Sequence, residues 1–319
     1  MFKLTQLENF SKHLAESFRW TNTYGLARTL LAICTLITLV LNDINLIIHP
    51  VGDLYERGAD NPVVGISLFQ LMGEHLVLAK SIGIVILLFV ISGWRPRITG
   101  IFHWWITFSL AVSGITIDGG DQIASLLTFL LIPVCLADSR RSHWINQPRE
   151  YNSTQKHLNL VAFISFLVIK FQVAAIYFQA AVSKMNSDEW LNGTSLYYWS
   201  KTPLFMMPDW LEPIMNPLLT NAFTLSLLTW GVLAFELLLF AGLVIGKKWR
   251  IPLMIGGILF HFGIVLLYGL VSFFFAMSAA LILYLRPLDR GIQLKFGFRK
   301  RGRYTQKPST INLPPIITT

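Results

Sequence analysis

The sequence predicts an all-α, polytopic integral membrane protein that crosses the bilayer with about eight helices. Of its 319 residues, 54% are hydrophobic and only 13% are charged, and the mean hydropathy is +0.56. A soluble globular domain carries about 25% charged residues, so most of this chain does not face water. The composition argues against a cytosolic enzyme, a disordered regulator and a secreted disulfide scaffold.

The apolar residues fall into eight segments, and each is predicted to form a helix. A helix needs about 20 residues to cross the hydrocarbon core, and the second, fifth, sixth and seventh segments meet or nearly meet that length. The fourth and eighth are short, so they cross a thinned region, run on into flanking polar residues or re-enter. The segments are residues 24–41, 76–94, 101–117, 123–136, 158–182, 223–245, 251–270 and 271–285.

Polar segments flank this membrane domain, which we assign to residues 24–285. In residues 1–23, apolar side chains recur at steps of three and four, which predicts an amphipathic helix along the inner membrane interface. Residues 286–319 form a basic cytoplasmic tail. The tail is expected to contact anionic lipids, or it serves only to fix the orientation of the chain.

The basic residues predict which ends of the helices share one side of the membrane. The alternate loops hold 20 of the 26 Lys and Arg residues, which places both termini in the cytoplasm and requires an even number of crossings. The net charge of +9 therefore reflects topology, and no nucleic-acid partner is expected. These loops are residues 1–23, 93–100, 137–157, 246–250 and 286–319.

Three ionisable residues lie near the middle of apolar segments: Lys170, Glu236 and His261. A charge near the bilayer centre costs about 3 kcal/mol or more, so these side chains are expected to face the bundle interior and to meet. The simplest arrangement pairs Lys170 with Glu236 and hydrogen-bonds His261 nearby. The group is either a structural network that joins three helices or a buried acid–base site.

Other polar residues lie closer to the membrane surfaces. His103 adjoins Trp104 and Trp105 near the inner end of its helix, where it is a member of the interfacial aromatic belt or a functional residue. Asp118 and Asp121 flank two glycines in a predicted outer turn. Either Asp121 caps the next helix, or both carboxylates face an outer cavity and bind an amine or a cation.

The two cysteines carry no predicted chemistry. Cys34 and Cys135 both lie inside apolar segments, so they are interpreted as small core residues that form no disulfide. The sequence has no Cys–His cluster with the spacing of a metal site, and we predict no metal.

Four strings of residues resemble a known family. They are Gly93–Trp104, Thr116–Ala124, Leu136–Trp144, and Tyr177–Lys184 with its continuation through Trp190–Thr194. They resemble the sporulation-delaying protein B family, a branch of the HTTM superfamily, which is related to the membrane domain of vitamin K-dependent γ-glutamyl carboxylase. The resemblance runs from about residue 20 to about residue 290 and implies an HTTM-like bundle.

This resemblance implies a bacterial inner-membrane protein of an antimicrobial peptide system. Such a protein acts with a small partner protein and is required to turn a secreted peptide-toxin precursor into its active form. The implied partners are therefore the toxin precursor and a small maturation protein.

The more distant likeness to the carboxylase bears on Lys184, Asp188, Trp190 and Gly193, although this chain has one extra residue between the lysine and the tryptophan. In the carboxylase that lysine is the base that deprotonates reduced vitamin K. The likeness thus implies a catalytic role for Lys184 and a quinone-type lipid as cofactor, whereas the chain lacks the carboxylase's large lumenal domain. Alternatively, Lys184 binds a lipid headgroup or a peptide carboxylate.

Taken together, these residues form one candidate site. The predicted catalytic residues are Lys184, Glu236 and His261, and the predicted binding or supporting residues are Lys170, His103, Asp118, Asp121 and Trp190. Three functions remain open: toxin maturation, a quinone-dependent carboxylase-like reaction, and peptide transport or immunity-type binding without chemistry.

Overall fold

The structure, a computed structural model, describes residues 20–48, 62–115, 117–146, 153–205 and 207–292. Within these ranges the chain is helical and forms no strand. The predicted amphipathic segment at the N-terminus and most of the basic tail lie outside the described residues.

Eight long helices carry the eight predicted apolar segments. They are α1 (Asn22–Leu41), α5 (Leu76–Ser92), α6 (Pro96–Ser113), α7 (Gly119–Ala137), α8 (Ser153–Lys184), α12 (Ala222–Phe240), α13 (Lys247–Tyr268) and α14 (Val271–Leu285). Short helices connect them: α2 (Ile44–Ile47), α3 (Pro62–Gly65), α4 (Leu68–Met72), α9 (Asp188–Leu191), α10 (Ser195–Lys201) and α11 (Glu212–Thr220). Two single 3₁₀ turns, Pro203–Phe205 and Ala241–Leu243, complete the described elements.

Five of the described helices are long and apolar enough to cross a membrane: α1, α7, α8, α12 with the turn that follows it, and α13. Helices α5 and α14 are apolar but shorter, with 17 and 15 residues. The all-helical membrane fold is therefore confirmed, whereas the number of eight crossings stays a prediction.

Helix α14 is the centre of the bundle. All of its residues from 276 to 285 are buried, and it packs against α1, α7, α8 and α13. Small residues permit this close packing: a Cβ added to Gly120 of α7 would lie 2.6 Å from the Cα of Phe273. A second core joins α1, α5 and α6. In a membrane, such close packing of helices replaces the hydrophobic effect as the main source of association.

The described loops predicted to be cytoplasmic meet at one end of the bundle, which we call the basic end. There Thr21 Oγ1 donates to Leu288 O over 2.7 Å and Asn22 Nδ2 donates to Ile292 O over 2.8 Å. The amide of Arg95 donates to Arg141 O over 2.9 Å, which joins the loop after α5 to the loop after α7. The predicted grouping of these loops therefore agrees with the structure.

The segment between α8 and α12, residues 185–221, packs beside the first half of α12. Trp230 Nε1 donates to Leu191 O over 3.3 Å, and the Trp199 and Phe205 rings stack with centroids 5.1 Å apart beside Tyr268. Buried residues of this segment form a small core with Leu225 of α12. The segment is thus a folded layer against the bundle, as its aromatic composition indicates.

Candidate functional site

An ion pair inside the bundle is the core of the candidate site. The Nζ atom of Lys184, the last residue of α8, lies 2.7 Å and 2.9 Å from the two carboxylate oxygens of Glu236 in α12. Glu236 is buried, and the Lys184 side chain is 23% exposed. The same Nζ donates to Ala180 O and lies 5.5 Å from the centre of the Trp190 ring. Trp190 therefore supports the lysine through a cation–π contact.

The predicted pairing of Lys170 with Glu236 is wrong. Helix α8 continues to Lys184, and the two lysines are fourteen positions apart, which corresponds to about 21 Å along the axis. Helices α8 and α12 pack with Phe178 beside Phe240, their ring centroids 5.0 Å apart, which fixes the register that brings Lys184 to Glu236. Lys170 lies half-buried on another part of the helix.

A hydrogen-bonded phenol and imidazole lie beside this ion pair. The Tyr177 hydroxyl and His261 Nε2 are 3.0 Å apart, and both side chains are buried. Tyr177 precedes Lys184 by two helical turns, so the two residues share one face of α8. The Nδ1 atom of His261 is buried without a hydrogen-bond partner. Sequence reasoning missed Tyr177, although it begins one of the four recognised strings.

These four side chains offer a defined set of chemical groups. Lys184 supplies an ammonium, Glu236 a carboxylate, and Tyr177 with His261 a pair that can donate and accept protons. The Lys184 side chain is partly exposed, so an anionic or polar ligand that reaches its ammonium would compete with Glu236 and Ala180 O for the N–H groups. The group can therefore bind a carboxylate or a quinone oxygen, or exchange a proton with either.

Asp118 and Asp121 are both engaged by neighbouring helices. Asp118 caps α7 by accepting from the Asp121 amide over 3.0 Å, and it also accepts from the Ser272 hydroxyl. The interpretation of Asp121 as the cap is therefore wrong. Asp121 is buried and accepts from Thr38 Oγ1 over 2.7 Å. Its inward position follows from its place in the first turn of α7, on the face that packs against α1.

Phe273 separates these carboxylates from the ion-pair group. Its backbone packs against Gly120, and its ring centroid lies 5.3 Å from that of His261. The structure thus places the two aspartates and the group around Lys184 and Glu236 on either side of one aromatic residue, not in one shared cavity. No group of three or more His, Cys, Asp or Glu that could hold a metal occurs in the described ranges. Cys34 and Cys135 are buried and unpaired.

His103 is buried inside the bundle and does not face the membrane surface as a belt residue would. It is 1% exposed in the interior of α6, and its Nε2 atom has no hydrogen-bond partner. The position of His103 beside two tryptophans in the sequence indicated a belt, but the tryptophans lie on other faces of the helix. Its surroundings belong to a second buried polar group at the basic end.

That second group was not predicted. Arg28 Nη2 donates to Thr99 Oγ1 over 2.7 Å, and Arg28 Nη1 lies 3.4 Å from His143 Nδ1. Nearby, Arg140 makes a bidentate ion pair with Asp138 over 2.8 Å. The sequence did contain a signal, because Arg28 is a lone charge within the first apolar segment and the other four lie in two of the recognised strings.

The surroundings of this group shift the pKa values of two loop residues in opposite directions. Burial, and then the charges of Arg28 and Arg140, lower the pKa of His143 to about 2, so its imidazole is neutral. Burial also acts against the charge of Arg140, but the hydrogen bonds and the charge of Asp138 outweigh it and raise the pKa of the guanidinium. The Tyr24 hydroxyl donates to the same carboxylate.

Comparisons with known proteins agree with this structure. The model of the HTTM domain matches residues 124–288. Sporulation-delaying protein SdpB of Bacillus subtilis (strain 168) is 39% identical over 285 residues, covering 87% of this chain and 85% of SdpB. The uncharacterized protein YitO of the same strain is 39% identical over 298 residues, covering 91% of this chain and 94% of YitO.

No solved structure matches this chain. The family match begins within α7 and ends just after α14, so it contains Lys184, Glu236, Tyr177 and His261. The resemblance found in the four strings is confirmed by the overall identity to SdpB. The chain belongs to the HTTM family of membrane proteins and is an SdpB-like member of it.

Proposed function

We propose that this membrane protein is required for the maturation of a secreted peptide toxin and that the Lys184–Glu236 pair is its working site. The observation that carries the proposal is the ion pair itself. Two charges buried between apolar helices cost several kcal/mol to desolvate, and replacing such a pair with apolar residues is often neutral or stabilising. A stability role alone therefore explains the pair poorly, whereas intramembrane charges commonly mark functional sites.

The likeness to SdpB supports this proposal, because the resemblance to the sporulation-delaying protein B family implies a role in activating a secreted toxin precursor. The partners we propose are the toxin precursor and a small maturation protein, with anionic lipids at the basic tail and no nucleic acid. A peptide carboxylate suits the positive charge of the partly exposed Lys184 side chain, which the buried Trp190 ring supports.

A quinone-dependent reaction is the second candidate. The orphan Nδ1 of His261 and the partly exposed Lys184 are polar groups that suit quinone oxygens. A reduced quinone, when bound, supplies an acidic hydroxyl and reducing equivalents. Lys184 would hold the proton of that hydroxyl, with Glu236 compensating its charge and Tyr177–His261 orienting the oxygen. Transport or immunity-type binding is the third candidate, and it rests on the same intramembrane charges.

Comparative mass spectrometry of the exported peptide tests these functions. Under our proposal, a strain without this protein still makes and exports the precursor, but the peptide stays inactive and lacks the change found in the wild-type strain. Normal toxin activity in the deletion strain would contradict maturation. A mature mass explained entirely by cleavage and disulfide formation would remove the quinone reaction, and purified protein that moves peptide across vesicles would favour transport.

We further propose a location in the bacterial cytoplasmic membrane with both termini in the cytoplasm. The charge asymmetry of the loops supports this orientation. Cysteines introduced at the exposed positions Asn216 and Arg290 report it, because Cys34 and Cys135 are buried. A membrane-impermeant maleimide added to intact cells should label Asn216→Cys and not Arg290→Cys. The reverse pattern would contradict the orientation.

A further inference from the structure

The guanidinium of Arg28 is a buried positive charge without a counter-ion among the described residues. The side chain is fully buried, six residues into α1. Its two polar contacts are to neutral groups, Thr99 Oγ1 at 2.7 Å and His143 Nδ1 at 3.4 Å. Its Nε atom has no hydrogen-bond partner. Most of the donors of this guanidinium are therefore unused.

The nearby carboxylate does not balance this charge. Asp138 accepts two hydrogen bonds from Arg140 and one from Tyr24, so its oxygens are already engaged. The two arginines and one aspartate leave a net charge of one positive unit in this buried group. Arginine cannot lose its proton to avoid the cost of burial. A buried charge without a partner costs several kcal/mol. An anion bound beside Arg28 would offset this cost.

A second unused nitrogen lies close to Arg28. His103 follows Thr99 by one turn on the same face of α6, and its Nε2 atom is buried without a partner. Arg28 bonds Thr99, so Arg28 and His103 both lie where α1 faces α6. The unused atoms there, Arg28 Nε and His103 Nε2, are nitrogens that suit an oxyanion.

His143 covers the Arg28 guanidinium from the basic end. Its ring is held tightly: a Cβ added to Gly25 or Gly93 would approach ring carbon Cδ2 to 2.9 Å or 2.7 Å. The His143 amide donates to Gly93 O over 3.1 Å, which fixes the loop. Arginine is only a donor, so Nδ1 of the neutral imidazole is the acceptor toward Arg28, at a long 3.4 Å. The ring thus occupies a position suited to an anion but supplies no charge.

We propose that Arg28, Thr99 and His103 form a covered binding site for a phosphate group and that the His143 loop is its cover. Phosphate matches the planar fork of a guanidinium and its full negative charge. Arg28 lies about 9 Å along α1 from Asn22, a depth near the basic end that the phosphate of an anionic lipid headgroup can reach. Inorganic phosphate offers the same chemistry. The site is separate from the Lys184–Glu236 pair.

Thermal unfolding of the purified full-length protein in detergent tests the site. Two probes are compared, inorganic phosphate and phosphatidylglycerol, with chloride and phosphatidylcholine as matched controls. One probe should raise the unfolding temperature in a saturable way. His143→Ala, which removes the cover, should strengthen apparent binding about tenfold. Arg28→Met should abolish the response, and Arg97→Gln, which removes an exposed arginine from the first turn of α6, should leave it unchanged.

The outcomes separate the two sources of phosphate. A response to phosphatidylglycerol alone identifies a lipid headgroup, and a response to inorganic phosphate alone identifies a free anion. If neither probe stabilises wild-type or His143→Ala protein, or if Arg28→Met responds as Arg97→Gln does, the site does not exist. Should Arg28→Met fail to accumulate, Thr99→Val replaces it and should weaken apparent binding about tenfold, because one oxyanion partner is lost. An unchanged response in that variant would also overturn the proposal.

Discussion

Lys184 and Glu236 place two opposite charges 2.7 Å apart among apolar helices, and each charge compensates the other. In a low-dielectric interior the attraction between such charges is strong, but so is the cost of removing both from water. Losing one partner therefore differs from losing both. A single substitution leaves an uncompensated charge, whereas a paired substitution removes the electrostatic problem altogether.

The first prediction contrasts the two lysines of α8. Lys184→Met should lower the amount of protein in the membrane, because a charged Glu236 left alone destabilises the fold by about 3–5 kcal/mol. Lys170→Met is the matched control, since this lysine has no ion-pair partner among the described residues, and it should change stability by less than about 1 kcal/mol. Immunoblots of membranes and unfolding curves in detergent measure both. Equal losses would contradict the assigned pairing.

The second prediction concerns pH. The pKa of His143 is depressed to about 2 in the folded protein, so the unfolded chain binds a proton below about pH 6.5 and the folded chain does not. His143 therefore supports the fold above pH 6.5 and destabilises it progressively as the pH falls toward 2, by about 1.4 kcal/mol per pH unit. Unfolding of wild type should show this slope as the pH falls from about 6.5 to 5, and His143→Asn should reduce it. A variant with an unchanged slope would contradict the assignment.

Of the individual side chains, the sequence predicted roles for Glu236, His261 and Lys184, which stay predictions, and it gave Glu236 the wrong partner. The error came from taking the fifth apolar segment as residues 158–182, whereas α8 runs through the polar residues at both ends. Hydropathy marks where a helix is apolar, not where it ends. Arg28 and His143 were missed because their relation depends on how α1 packs against the loop after α7.

At the scale of helices, close approach between α7 and α14 fixes the candidate site. Gly120 has no side chain, so the backbone of Phe273 can pack directly against α7. That contact sets the position of the Phe273 ring, which touches His261. Packing of this kind cannot be deduced from hydrophobic periodicity, because in these helices nearly every face is apolar. The order of the predicted segments and their helical character are therefore confirmed. Which helices pack against one another is known only from the structure.

The third prediction tests this contact. Gly120→Ala should destabilise the protein by about 1–3 kcal/mol, because the new Cβ would lie 2.6 Å from backbone atoms that cannot rotate away. Gly231→Ala is the control: nothing lies within 4 Å of its Cβ position, and alanine favours a helix by about 1 kcal/mol over glycine. Thermal unfolding in detergent compares the two. Similar effects of both substitutions would show that α7 and α14 are not packed so closely.

At the scale of the whole molecule, two of the buried polar groups among the described residues carry our proposals, one around Lys184 and one at the basic end around Arg28. The first joins α8, α12 and α13, and the second joins α1, α6 and the loop after α7. Charge asymmetry along the chain was enough to group the described loops at one end. It could not reveal which intramembrane residues meet, because that depends on contacts between helices far apart in sequence.

The central claim is that the Lys184–Glu236 pair works in toxin maturation and does not merely hold two helices together. The double variant Lys184→Met, Glu236→Gln tests it most directly, because it removes both charges and keeps similar side-chain volumes. The variant should accumulate better than Lys184→Met alone, since no uncompensated charge remains. The measurement is the toxin activity released by cells whose membranes contain the double variant at wild-type abundance. Our account predicts no activity, and wild-type activity would contradict it.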